Sequence, residues 1–273
     1  MNPGWKSEIK ASEINALMLE AAFEAAKITT SFFRKGIAVE NKLLQGFDPV
    51  TEADTQAEAA IRTVINAYFP NHGISGEEMI DQQSDSPFNW VIDPIDGTRA
   101  FITGLPVWGT LIALTYKGTP IAGLMSQPHI GENFIAIQGE TAELQRGETQ
   151  TPLRTSQITQ LDDARMFTTS PRIFLSAETG AAYDRLEAEV KLARYGLDCY
   201  GYAMLATGHG ELVVEEGLKN VDIAAMIPLI EEAGGIVTTW SGKSAANGGQ
   251  VIAAANQEIY EAALAYLQPL ATD

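Results

Sequence analysis

Trp90-Val91-Ile92-Asp93-Pro94-Ile95-Asp96-Gly97-Thr98 joins an apolar run to two carboxylates spaced three apart. Residues 89–92 have the compact apolar character of a buried strand. Asp93-Pro94 is expected to end it, because proline donates no ladder hydrogen bond and keeps the residue before it out of the helical region. Gly97-Thr98 then offers backbone N–H groups at the start of a helix or turn. Carboxylate and carbonyl oxygens suit hard divalent cations, and a helix start or nest of N–H groups suits a phosphate. Taken alone, Asp-Pro and Asp-Gly are also ordinary turn formers. Their company argues otherwise. Val50-Thr51-Glu52-Ala53-Asp54 and Gly76-Glu77-Glu78 precede them, and Val221-Asp222-Ile223-Ala224-Ala225 follows far downstream, each with acids at an element boundary.

Working outward, residues 14–32 carry apolar side chains at helical spacing from Ser12 as N-cap, and Gly36 ends that helix. A second helix follows Asp54 and stops at Pro70. Residues 109–116, 120–126 and 133–137 read as three antiparallel strands, the first two joined at Lys117-Gly118. The polar stretch 138–151 reads as a connection, and a domain boundary is placed near its end. Beyond it, strands at 165–169, 211–215, 236–240 and 251–255 alternate with helices at 181–193, 203–207, 223–233 and 258–267, the pattern of a layered α/β half. Asp222 is a natural N-cap, and Pro228 is expected to kink the helix it begins.

The 273 residues are 45% hydrophobic and 19% charged, ordinary values for a globular chain with a sizeable core. The net charge of −17 argues against nucleic acid or an anionic membrane as partner. It also makes an anionic substrate awkward unless bound cations neutralise the acids locally. The lone Cys199 allows no intrachain disulfide and reads as a small buried hydrophobe. Residues 1–6 carry no apolar signal core, and no stretch approaches the roughly 20 apolar residues that span a bilayer. A cytoplasmic location is expected. His72, His129 and His209 are expected at the surface.

The four acidic segments, with Gly234-Gly235 after the last, resemble the inositol monophosphatase family of magnesium-dependent, lithium-sensitive phosphomonoesterases, in the family's order and over nearly the whole chain. Gly97-Thr98-Arg99-Ala100-Phe101 and Asp198-Cys199-Tyr200 resemble its histidinol-phosphate phosphatase branch; Val221 stands where inositol-type members usually carry Trp. The resemblance implies a five-layer α-β-α-β-α sandwich of the inositol monophosphatase and fructose-1,6-bisphosphatase type, mixed α+β and α/β. An N-terminal unit over 1–154 would carry most metal ligands, and a C-terminal unit over 155–273 would complete the metal and substrate site.

It further implies two or three Mg²⁺ ions: Asp93 bridging, Glu77 and the Ile95 carbonyl on the first, Asp96 and Asp222 on the second. Gly97 and Thr98 would cradle the phosphate. Thr98, hydrogen-bonded to Asp54, would orient the attacking water beside Glu77. Arg99, Asp198 and Glu215 would contact the substrate, with Lys42 near the phosphate. The implied reaction is hydrolysis of histidinol phosphate to histidinol and phosphate by metal-activated water; an inositol monophosphatase or a broad sugar-phosphate phosphatase is the alternative. A homodimer is expected by the same analogy. Against these roles stand plainer ones: a helix-start charge for Asp54, loop acids for Glu77 and Glu78, an N-cap for Asp222, a turn hydroxyl for Thr98, and strand-end acids for Asp198 and Glu215. A non-catalytic metal-binding protein is a further alternative, and it would be expected to lack ligands.

Overall fold

The structure, a computed structural model, describes residues 4–36, 38–41, 49–140 and 142–272. Helix α1 (Ala11–Phe32) buries Ile14, Leu17, Met18, Ala21 and Ala25, the face its apolar spacing predicts. Strands β1 (Val39–Asn41) and β2 (Pro49–Thr51) pair antiparallel and lead into α2 (Glu52–Tyr68). Thr51 caps α2: its Oγ1 accepts from the Ala53 N–H at 3.2 Å, and the Asp54 carboxylate accepts from the Thr51 N–H at 2.9 Å.

Seven strands then form the first sheet, in spatial order β3 (Gly73–Gly76), β4 (Phe88–Asp96), β5 (Gly109–Tyr116), β6 (Thr119–Gln127), β7 (Glu132–Ile137), β8 (Glu143–Arg146) and β9 (Thr149–Pro152). Only β3 and β4 run parallel; the rest is an antiparallel meander. Short helix α3 (Thr98–Thr103) links β4 to β5. Two expectations are corrected here. Strand β4 does not stop at Ile92 but passes through Pro94 to Asp96, because a bulge there removes the need for proline to donate. The polar stretch after residue 138 is not a mere connection but folds into the edge hairpin β8–β9, which is exposed along most of its length and so carries no apolar alternation to betray it.

The remaining elements are β10 (Arg165–Thr168), α4 (Ala177–Glu187), β11 (Leu192–Tyr195), α5 (Cys199–Ala206), β12 (Leu212–Leu218), α6 (Asn220–Ile223), α7 (Met226–Glu232), β13 (Ile236–Thr239), β14 (Gly249–Ala254) and α8 (Gln257–Leu267). Their sheet has the order β11-β10-β12-β14-β13. The expected helix at 181–193 ends at Glu187 and gives way to β11, and α5 starts four residues before its expected position. The helix expected over 223–233 is two pieces. Pro228 is the third residue of α7, in the first turn, where a missing N–H breaks no hydrogen bond, so the proline needs no kink.

Side-chain alternation along the strands sorts the molecule into layers. Trp90, Ile92, Ile112, Leu114 and Leu124 face α1 and α2, whereas Val91, Leu111, Ala113 and Met125 face α5 and α7. On the second sheet, Phe167, Val213, Val251 and Ala253 face that same pair of helices, and Met166, Leu212, Val214 and Ile252 face α4 and α8. The result is a five-layer α-β-α-β-α sandwich. Gly123 marks its tightest seam: a Cβ there would stand 2.0 Å from the Ala225 carbonyl oxygen, so only glycine lets the middle helices settle on β6.

One histidine departs from expectation. His72 stacks between Phe69 and Phe88, at centroid distances of 4.6 and 4.9 Å, and its Nδ1 accepts the Trp90 indole N–H at 3.1 Å. Burial there pushes its pKa down. No helix among the described residues is long and apolar enough to cross a membrane.

Candidate active site

Strand alternation alone would send Asp93 and Asp96 to opposite faces of the sheet. The β4 bulge cancels that. Between the pairs Asp93–Leu111 and Asp96–Gly109, two residues of β4 oppose one of β5, and Thr110 Oγ1 donates to the Pro94 carbonyl at 2.8 Å. The extra residue turns Asp96 to the side of Asp93, towards the middle helices. Asp222 arrives from α6 on those helices. One carboxylate oxygen from each of Asp93, Asp96 and Asp222 lies within 4.8 Å of the others. Asp222 is not the N-cap but the third residue of α6, where its Oδ2 accepts from the Lys219 N–H at 2.7 Å.

Glu77 follows β3 and extends its pairing, its N–H donating to the Ile92 carbonyl at 3.2 Å. The Lys219 ammonium donates to the Glu77 carboxylate at 2.9 Å. Gly97, at φ +82°, ends β4 and starts α3; a Cβ there would be both strained and 3.0 Å from an Asp198 carboxylate oxygen. Thr98 behaves differently from its expected role. Its hydroxyl donates back to the Ile95 carbonyl at 3.1 Å, a contact natural to the first residue of a helix, whereas Asp54 accepts from the Thr51 N–H and hydroxyl at 2.9 and 2.5 Å. The expected Thr98–Asp54 hydrogen bond is therefore not the one formed. Lys42 lies outside the described residues.

The opposite wall comes from the second sheet. Glu215, 3% exposed on β12, accepts the Thr169 N–H at 2.7 Å, and Asp198 accepts the Thr169 hydroxyl at 3.3 Å. Asp198 precedes α5 at φ +46°, a strained value for a non-glycine residue. The first amide of that helix, Cys199 N–H, donates to Asp96 Oδ2 at 2.7 Å and ties the wall to the cleft. Arg99 is exposed at the rim, and its charge opposes the burial that raises the Asp198 pKa.

Except for Asp54, which is not in its lining, the expected site residues among those described line one cavity of about 270 Å³. Seven acids face it, against the basic Arg99 and Lys219. Burial, reinforced by neighbouring acids, pushes the Asp93 and Asp96 carboxyls well above the usual range. Burial pushes Glu215 up to about 7. Cys199 is buried, and desolvation pushes its thiol up, which leaves no nucleophilic thiolate. The crowded, oxygen-only donor set is what a hard divalent cation requires and what water alone serves poorly. Asp93, Asp96 and Asp222 fit such an ion, with Glu77 and the Ile95 carbonyl at the same cavity.

Sequence reasoning missed Lys219, Thr169 and Tyr202. Lys219 had a signal, three residues before Asp222 in capping-box spacing. Thr169 had none, because its partners are 29 and 46 residues away. Tyr202 is a buried part of the cavity wall whose hydroxyl has no hydrogen-bond partner among the described residues.

Comparison with known proteins agrees with the fold. The sequence profile of the inositol monophosphatase family matches residues 10–271. The chain is 39% identical to the chloroplastic bifunctional phosphatase IMPL2 of Arabidopsis thaliana, over 98% of this chain and 78% of that protein. It is 36% identical to a histidinol-phosphatase of Chlorobaculum parvum, over 88% of this chain and 91% of that one. The structure of an inositol monophosphatase from Zymomonas mobilis superposes with a TM-score of 0.83 at 35% identity, covering 98% of this chain and all of that one.

Proposed function

The chain belongs to the inositol monophosphatase family of metal-dependent phosphatases, and from that premise we propose that it hydrolyses histidinol phosphate with Mg²⁺ as the cation. The observation that carries the substrate is the wall of buried acid opposite the cation cleft. Glu215 and Asp198, braced together by Thr169, suit the ammonium and imidazole of an amino alcohol better than the neutral hydroxyls of a polyol. Likeness to the Chlorobaculum parvum histidinol-phosphatase supports the same substrate.

Asp93, Asp96, Asp222, Glu77 and the Ile95 carbonyl would hold the cations. When bound, these neutralise the phosphate and activate water for direct displacement. The chain's own groups do the rest. Gly97 and Thr98 open α3, where first-turn N–H groups lack intrahelical acceptors and suit phosphate oxygens. Glu77, Thr98 and Asp54 are assigned to orienting the attacking water. That role requires the Thr98 hydroxyl to leave the Ile95 carbonyl, to which it donates at 3.1 Å. Arg99 at the rim meets the substrate's outer charge. A homodimer and a cytoplasmic location belong to the same reading, and sedimentation at assay concentration tests the first.

The deciding experiment measures phosphate release from L-histidinol phosphate, inositol 1-phosphate and several sugar phosphates, with Mg²⁺ and with EDTA. Strong preference for histidinol phosphate is expected. Comparable rates across the panel would leave the phosphatase and remove the substrate assignment. Preference for inositol 1-phosphate would move the chain to the inositol-type members, such as the Zymomonas mobilis protein it superposes on.

A further inference from the structure

Glu58 and Arg62 stand one turn apart on α2, outside the cavity, and both are buried. Glu58 Oε1 accepts from Arg62 Nε and lies 2.8 Å from Arg62 Nη2. Its other oxygen accepts the Glu78 N–H at 2.8 Å, and Arg62 Nη2 donates onward to the Met79 carbonyl at 3.3 Å. The loop between these anchors starts at Gly76, where a Cβ would stand 2.0 Å from Glu58 Oε1. On its other side, the Glu77 N–H is fixed to Ile92 of β4. The Glu77 backbone is thus gripped from both sides: by the sheet through its own amide, and by a buried ion pair through the next two residues.

Resting on the reading of Glu77 as a cation ligand, we propose that Glu58, together with Arg62, is the positioning residue that sets where the Glu77 carboxylate stands and so how tightly the cleft holds its cation. A buried ion pair is costly to desolvate and is a poor device for stability alone. Its geometric return here is a carboxylate with both oxygens committed, one to a guanidinium and one to a loop amide, directly beneath a metal-binding segment. Groups that orient metal ligands in this way typically change affinity by about 10- to 100-fold when altered.

The test separates position from charge. Glu58→Gln removes a negative charge and Arg62→Met removes a positive one, so a purely electrostatic influence would shift cation affinity in opposite directions. Positioning predicts that both weaken it, by about tenfold or more. Mg²⁺ and Mn²⁺ affinity is read by calorimetry on the cation-free protein, and phosphate release at saturating cation is expected to recover most of its rate. Gly76→Ala, which pushes the loop off Glu58 with no change of charge, is expected to weaken binding likewise and serves if either charge variant fails to fold. Tighter binding in Arg62→Met, or unchanged affinity in Gly76→Ala, would overturn the proposal. Glu77→Gln is the reference. If it leaves cation affinity unchanged, the reading of Glu77 fails; if it weakens affinity while the other variants do not, only the positioning role fails.

Discussion

The two walls of the cavity are built by opposite means. The cation wall rests on the ends of β3 and β4, with backbone pairing to Gly109 and Ile92 fixing Asp96 and Glu77. The substrate wall rests on β12 and on the segments that follow β10 and β11, where Thr169 joins Asp198 through its hydroxyl and Glu215 through its N–H, across 29 and 46 residues. The first wall is a local motif given shape by one bulge; the second exists only once the sheet has assembled. On the proposed reading, shared chemistry sits in the first wall and discrimination among substrates in the second.

The harshest attempt to break that contrast is Asp96→Asn. Removing one carboxylate from the three-acid cluster removes several kcal/mol of charge stabilisation, so phosphate release should fall about a thousandfold on every substrate. A phosphate assay showing a loss on one substrate only would blur the two walls.

Next comes the pH dependence of the substrate wall. Burial raises Glu215 from 4.5 to about 7 in the folded chain. The folded state therefore binds the proton more tightly than the unfolded one. Its contribution to stability is fully present below pH 4.5 and is lost as pH rises through 7. Glu215→Gln cannot ionise. With chelator present, its urea-unfolding stability should gain on the parent between those values, by roughly 3 kcal/mol at the plateau. A difference that stays flat with pH would show that Glu215 titrates normally.

Specificity gives a somewhat smaller effect. Asp198→Asn and Glu215→Gln should lower kcat/KM on an aminated phosphate ester about 10- to 100-fold, the worth of one charge-assisted hydrogen bond. Turnover of a polyol phosphate should change little. Equal losses on both would return these acids to the cation machinery. The mildest test is at the junction of the walls. Gly97→Ala forces a Cβ into φ +82° beside Asp198 and should cost about 1–2 kcal/mol in chemical denaturation. A neutral result would mean that the junction is soft.

The same contrast explains what could be read from the residues. The apolar spacing of α1 and α2 and the apolar runs of β5 to β7 carry their meaning within a dozen residues, and the structure places these elements as expected. The bulge in β4 did not show, because Pro94 reads as a stop unless the two-against-one pairing with Thr110 is known. Nor did β8–β9, an exposed edge hairpin without apolar alternation. Pro228 looked like a kink because the break between α6 and α7 depends on packing rather than on any breaker residue. Asp198 and Glu215 were placed through family resemblance, and nothing local announced Thr169 between them. Nothing local marks Glu58 and Arg62, since the loop residues they hold are 20 and 17 residues away.

The contact at Gly123 has a mechanical consequence. The helices that carry Asp222 meet β6 backbone to backbone, and β6 is bonded through β5 to the strand that carries Asp93 and Asp96. The gap between the third acid and the first two is therefore as stiff as the frame itself. Side-chain repacking has little leverage on it, and widening it for a larger ion means lifting a helix layer from a sheet. On the proposed reading, the cation meets a cleft of fixed width, and its radius decides how well it fits.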